Sequence, residues 1–576
     1  MKIPYEKLTF DIVVLGGGAA GSLAAIRAKK LGANVAFVTK ESALVGGATI
    51  MAGGGTSLTQ SPGDNGDVFF KDIMKSGQQI NDKGLVHMVA DNCMKAFYDL
   101  ENCDLLLDRD NLKHQGSASM HTVKQGEGHA YPRAYLDRRE ALGFCHGLAK
   151  TIERLQIPRF TETIAVKILK DKDGKLCGLI CYSVIEGKYL IIECKALVMA
   201  TGGLGALYEE TTNSTVLSGT GFALAFDAGT ELKDMEMVQF MPLCFPYPKI
   251  RRGKIIGMCS LLGPSVKLYN GLGERYMHKY DPERKEFTTR DIGARGNYTE
   301  IKEGRGNPDG TITVDNRGFD PAILNRWKTA NPFRYRQCVQ TYGKKAGNWE
   351  EPFEAIPAQH FFMGGIKINT KMETGIPGLF AVGECTAGVH GANRLSGVAF
   401  AEIFSLGPIA GQSAFDYFKD AEAPKFDDKA AEAAVKAVEK PLERHVANGC
   451  RPYEIKQMIQ HVVSMNLGPV RVGPEIESAI KELENIRDNI IPKMYVSDGD
   501  PRYSRERLDA LEVPLMVETA LMVAKSAAMR TESRGSHYRT DYPDKDPAWL
   551  RNVVISRGKD GGMELRTEAV AGEVQA

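Results

Sequence analysis

An imidazole and a guanidinium set close together could anchor an anion, and one stretch of this chain supplies both. Residues 376–397 read IPGLFAVGECTAGVHGANRLSG. An apolar run (379–382) meets Gly383-Glu384, and a tight loop then sets His390, Asn393 and Arg394 within five residues. A guanidinium fork can give a carboxylate two parallel N–H bonds, which suits it as a cationic anchor. Near the other end, residues 11–21 read DIVVLGGGAAG, an apolar strand running into a glycine-rich turn. Gly16, Gly18 and Gly21 make GxGxxG there, directly after the strand and before a helix. In that spacing the first glycine permits the turn, the second lets a pyrophosphate reach backbone N–H groups, and the third lets helix and strand pack closely. The helix N-terminus then faces the phosphates. Together the two stretches suggest one dinucleotide gripped by the start and the late middle of the chain, with a cationic anchor beside it. The acidic residue usual at the end of the second strand is missing, and Thr39-Lys40-Glu41 stands there. Thr39 offers a hydroxyl to the ribose and Glu41 is the next candidate, which weakens a NAD assignment more than a FAD one.

The elements that must position these groups follow from periodicity. Residues 7–40 read as strand, glycine turn, helix (19–31) and second strand (34–39), the opening βαβ of a dinucleotide-binding sheet. The loop 46–55, with Gly53 and Gly54, is too rich in glycine for anything but a close backbone approach. Residues 159–192 read as a β-meander split by Lys172-Asp173-Gly174-Lys175. A buried strand (196–200) follows and ends in Thr201-Gly202-Gly203. From 241 to 357, polar turns, short apolar pieces and a basic stretch (249–254) suggest an inserted domain. The sheet resumes at 359–368 and 378–382. From 416 onward helical periodicity dominates, at 427–445, 474–489 and 505–530. The expected fold is α/β, with a Rossmann-like nucleotide-binding domain (1–240 and 358–415) split by an α+β capping domain (241–357). A helical domain (416–542) and a polar, irregular tail (543–576), mobile from Met563, would follow.

Bulk properties bound the function. The chain has 576 residues, enough for two to four domains, with 43% hydrophobic and 25% charged residues. A formal net charge of +1 gives no basic surplus to argue for nucleic acid. No window of about 18 apolar residues argues for a transmembrane helix, and the N-terminus lacks a signal peptide's apolar run and cleavage site. Any membrane association is therefore expected to come through partner subunits. Eleven cysteines without a CxxC pair fit reduced thiols in a cytoplasm. Cys177 and Cys181 read as core residues. No zinc, iron–sulfur or other metal-ligand spacing is present, so a cluster serving this chain would sit on another polypeptide.

With these residues in view, the chain resembles the flavoprotein subunits of the fumarate reductase/succinate dehydrogenase family, which includes L-aspartate oxidase and, more distantly, adenylylsulfate reductase. The likeness runs from Phe10 to about Pro543, through GGGAAGSLAA, ATGGLGALYEETTNS, DMEMVQF, TRDIGAR, HFFMGGI, GLFAVGEC, HGANRLSG and ESRGSHYRTDYP. It implies FAD as cofactor, with Glu384 on the ribose and the backbone around Ala399 and Phe400 at the flavin ring. The rest of the implied FAD set is Gly16, Gly18, Ala19, Gly21, Thr39, Lys40, Thr49, Gly53, Gly54, Ala165, Thr201, Gly202 and Arg394. Some members tether FAD through a His just before a Thr in the early glycine loop; here Ala48 precedes Thr49, so noncovalent FAD is expected. Thr220 stands where the family has the acid of TGDG.

The resemblance also implies chemistry: hydride transfer between flavin N5 and one carbon of a carbon–carbon bond, with proton transfer at its neighbour. The family's proton donor is matched by Arg290 of Arg290-Asp291, and its clamp on one carboxylate by His360 and Arg394, with His390 supporting the loop. The other half of the site departs. Met241 replaces a histidine, and the T-E-G-x-R-G element that binds the second carboxylate and relays protons has become residues 257–262, GMCSLL. A pocket of Met241, Met258 and Cys259 would leave a second carboxylate without charge-assisted bonds, at a cost of roughly several kcal/mol. Fumarate and succinate are thus disfavoured. The expected ligand has one anionic end held by Arg394 and His360 and another that is apolar or an acyl ester. The alternative is an electron-transfer flavoprotein subunit without an organic substrate of its own. Adenylylsulfate reductase-like chemistry is disfavoured because HGANRLSG belongs to the dicarboxylate side of the family. An iron–sulfur electron-transfer subunit is the expected partner, with oxygen as the other acceptor.

Overall fold

The computed structural model describes residues 4–41, 44–53, 55–104, 128–136, 141–330, 332–443, 449–497 and 499–571. Its centre is a five-stranded parallel sheet in the order Leu379–Ala381, Ala196–Met199, Ile12–Leu15, Val35–Val38, Arg159–Phe160. The first four of these strands are buried along their whole length. This is why they read as continuous apolar runs rather than alternating ones. Leu15 pairs with both Val38 and Met199, and Met199 with Ala381. The carboxyl ends are therefore level, and Gly16, Thr39, Ala200 and Val382 leave the sheet along one edge, where ligands of open α/β sheets bind.

Helix Ala19–Lys30 packs on the long helix Val398–Asp420. They approach closely because Gly411 faces the Ala24 carbonyl, which any Cβ at Gly411 would overlap. Val398–Asp420 is also the one helix among the described residues long and apolar enough to cross a membrane, but 61% of its apolar window is buried inside the protein. The meander forms as Thr163–Lys170, Leu176–Ser183 and Lys188–Glu193, with Tyr5–Thr9 added in parallel to its last strand. Cys177 and Cys181 lie buried in its middle strand, and all eleven cysteines are free.

The inserted region builds a second sheet in the order Ile255–Gly257, Val238–Cys244, Phe353–Phe362, Ile312–Asp315, Lys267–Tyr269, with a core of its own around Leu243, Trp327 and Trp349. The chain crosses between the two units along Val238–Cys244 and Phe353–Phe362, so the boundaries drawn at 240/241 and 357/358 fall inside paired strands. The helical region contains Asp428–Glu439, Pro452–Asn466, Gly473–Asn485 and Arg505–Met529. The end of the expected helix 427–445 lies outside the described residues. The expectation of an irregular tail is corrected. Arg551–Arg557 and Met563–Ala569 form an antiparallel hairpin that pairs with Leu232–Lys233 and buries Val553, Val554 and Ile555. The outer strand alternates half-buried and exposed residues, so its sequence looks polar, and its pairing partner lies far away along the chain.

Candidate active site

A single cavity of about 360 Å³ runs from the glycine turn to the face of the inserted unit. Its nucleotide end is built from backbone. Gly16 has φ +115°, and a Cβ there would overlap the Ala200 carbonyl, so only glycine allows the turn to lie against the neighbouring strand. Gly21 stands behind the cavity, where a Cβ would overlap the Gly16 carbonyl. Helix Ala19–Lys30 starts at Gly18 with no side-chain cap from Gly18 and no acidic residue in its first turn. Ala19 N donates to Thr49 Oγ1 at 3.1 Å. A glycine-walled cleft at the positive end of a helix fits a pyrophosphate. Glu384 completes the fit. It is half-buried at the cavity wall, accepts from Phe362 N at 3.1 Å, and loss of solvent around it pushes its carboxyl up to about 8. A ribose hydroxyl is a suitable partner for such a group.

The cavity brings together Gly16, Gly18, Ala19, Thr39, Lys40, Thr49, Gly53, Ala165, Thr201, Gly202, Glu384, Arg394, Ala399 and Phe400. Gly54 lies outside the described residues. Lys40 borders the cavity with its ammonium on Glu512 (2.6 Å) and on Ser218 Oγ (2.7 Å), itself a lining residue. Ala399 and Phe400 open the helix Val398–Asp420, whose N-terminus at Gly397 meets the cavity.

At the other end stand Arg290, His360 and Arg394. Arg290 begins helix Arg290–Lys302; its Nη2 donates to Ser396 Oγ at 2.9 Å and its Nε lies 3.1 Å from Met258 Sδ. Asp291 faces the loop and accepts from Asn393 Nδ2 at 3.0 Å. Arg394 is buried with its guanidinium 4.4 Å from the centre of the Phe361 ring, and its carbonyl accepts from Gln239 Nε2. His390 Nε2 pairs with Glu402 at 2.8 Å, behind the loop.

His360 is placed differently from the expected clamp. Arg394 Nη2 lies 2.9 Å from His360 Nε2, and Thr212 Oγ1 lies 2.9 Å from Nδ1. A guanidinium only donates, so Nε2 is the acceptor and the proton sits on Nδ1, directed at Thr212. Burial, then the charges of Arg394, Arg290 and Arg334, hold the imidazole well below its usual range, in the neutral form. It orients Arg394 and can reach an anion only by giving up one of these bonds.

The apolar part of the lining contains Met241, Met258 and Ile255. Cys259 does not join it, which is a correction. Cys259 begins a short helical turn, Cys259–Leu262, and packs into the core of the inserted unit with Ile256 and Leu262. Among the lining residues that sequence reasoning missed are Thr212, His129, Ser396 and Arg334. Ser396 lies inside the HGANRLSG motif and was within reach of it. Arg334 belongs to an ordinary-looking amphipathic helix, Pro332–Tyr342, and carries no motif.

Comparison with known proteins bears on this geometry. Residues 11–399 match the family described as FAD binding domain, and residues 456–575 match fumarate reductase flavoprotein C-term. The chain is 33% identical to a subunit of the fumarate reductase (CoM/CoB) of Methanothermobacter marburgensis, over 95% of this chain and 97% of that protein. It is 29% identical to the fumarate reductase flavoprotein subunit of Mycobacterium tuberculosis, over 96% of each. Among solved structures, Mycobacterium smegmatis Sdh1 superposes with a TM-score of 0.87 at 30% identity, covering 99% of this chain and 95% of that one. Adenylylsulfate reductase from Archaeoglobus fulgidus shares the fold, with a TM-score of 0.74 at 18% identity over 100% of this chain and 97% of the other. With two matched families spanning most of the sequence, this chain belongs to the fumarate reductase/succinate dehydrogenase family of FAD-dependent oxidoreductases, flavoproteins that act on CH–CH bonds.

Proposed function

We propose that the protein reduces or forms a carbon–carbon double bond in an organic acid or acyl derivative other than fumarate or succinate, as the flavoprotein subunit of a larger complex. The observation that carries this reading is that Arg290 and Arg394 line one cavity with Ala399 and Phe400, and that Met241, Met258 and Ile255 line it too, Met258 Sδ lying 3.1 Å from Arg290 Nε. FAD, when bound, supplies hydride transfer at N5 to or from one carbon of that bond. Arg394 takes a carboxylate of the substrate, its fork held in register by His360 and by the Phe361 ring. Arg290 would give the proton to the neighbouring carbon and be left as the neutral guanidine, the form that would accept the proton in the reverse direction. A guanidinium is a very weak acid, and it can act here because the developing carbanion is far more basic. The Ser396 hydroxyl fixes the Arg290 fork.

The methyl of Ala48 lines the cavity beside Thr49 and cannot form a covalent link, which supports noncovalent FAD. Electrons would pass to or from an iron–sulfur subunit, which would also account for any membrane association of this cytoplasmic chain. A convergent acid and anion clamp favours an enzyme over a pure electron-transfer subunit. The test is turnover of fumarate against a panel of other enoic acids, with a reduced viologen as donor. Turnover of the panel with weak activity on fumarate is expected. Fumarate as the best substrate would overturn the reading.

A further inference from the structure

The cavity holds a third guanidinium, one that has no part in the proposed function. Arg334 lies in the first turn of helix Pro332–Tyr342, which packs beside strand Ile255–Gly257. Its side chain lines the same cavity as Arg290, His360 and Arg394. A glycine makes room for it: any Cβ at Gly53 would overlap Arg334 Nη2, so the guanidinium lies directly over the backbone of the early glycine loop. Ile255 of that strand packs against the apolar cluster of Met241, Cys244, Met258 and Ile356. Arg334 therefore enters the cavity beside the sulfur-rich wall.

The chemistry along the cavity is then ordered. A carboxylate fits Arg394. Arg290 Nε lies 3.1 Å from the Met258 thioether, and Met258 follows directly on strand Ile255–Gly257; neither Met258 nor Ile255 can bind an anion well. Helix Pro332–Tyr342 packs against that strand and brings a further guanidinium fork to the same cavity. A second carboxylate attached directly to the reacting carbons would meet the thioether, whereas one carried past an apolar segment would meet Arg334.

We propose that Arg334 is a specificity-determining residue that binds a second anionic group, and that the substrate class is an extended dianion: an acid whose second carboxylate is separated from the reacting carbons by an apolar spacer. This rests on the proposed function and narrows its substrate class.

The experiment compares trans-2-hexenedioate, trans-2-hexenoate and fumarate as electron acceptors for the FAD-loaded protein reduced by viologen, in the parent, Arg334→Gln and Arg334→Lys. The parent should favour the hexenedioate over both others in kcat/KM. In Arg334→Gln the loss on the diacid should exceed the loss on the monoacid by about ten- to a hundredfold, the range for a hydrogen bond between charged groups. Arg334→Lys should recover part of the difference, and flavin content should be the same in all three proteins. Equal losses on both acids, or no diacid preference in the parent, would overturn the role of Arg334 while leaving the proposed function standing. If the parent turns over fumarate best, or no enoic acid at all, both readings fall.

Discussion

Replacing Glu384 by glutamine should remove a pH dependence from the stability of the flavin-free protein. The carboxyl is half-buried, and desolvation raises it from an ordinary 4.5 to about 8 in the fold. Between those values the unfolded chain has released the proton and the folded one still holds it. The folded state therefore binds more protons, and stability falls as pH rises. The contribution is fully present below pH 4.5 and is lost as pH passes through about 8. A shift of that size corresponds to about 3–6 kcal/mol, since each pKa unit is worth about 1.4 kcal/mol and the folded value is good to about one unit. Urea unfolding of apoprotein from pH 5 to pH 8.5 measures it, and the difference between parent and Glu384→Gln cancels the other titrating groups. Parent stability should drop relative to the variant by a few kcal/mol across that range. Parallel curves would refute the argument, because they would mean that Glu384 is ionised in the fold and solvated by something the geometry does not show.

Arg290→Gln should lower turnover by about a hundred- to ten-thousandfold, the usual worth of a positioned acid, while the bound flavin is still reduced by an artificial donor. Rapid-mixing spectroscopy separates the two steps, and loss of flavin reduction instead would point to a structural role. Gly16→Ala should give protein that folds poorly or retains no flavin, because the new Cβ overlaps the Ala200 carbonyl and the backbone sits at φ +115°. Absorbance near 450 nm after gel filtration reads this directly, and normal flavin content would contradict the close approach.

The legible part of the fold was its local part. The strand–glycine–helix opening, the meander and the later helices follow from apolar periodicity and turn residues within short windows. The hairpin at 551–569 was not legible, because its burial depends on pairing with Leu232–Lys233 more than three hundred residues earlier. In the site, GxGxxG and HGANRLSG named the two ends of the cavity, since both encode their function in contiguous residues. Cys259 was misplaced for the opposite reason. In an irregular loop, adjacent residues can turn to different cores, as Met258 and Cys259 do.

Contiguous motifs were enough for the resemblance that gave the family and FAD, and for most of the cations that line the cavity, because that chemistry travels with the residues wherever the chain goes. How those groups are spent became visible only in three dimensions. Packing turned the proton of His360 toward Thr212, tied Lys40 to Glu512 and brought Arg334 from the inserted unit over Gly53. Charge and hydrogen-bonding capacity belong to a side chain, whereas the partner that uses them is set by contacts between segments far apart in sequence.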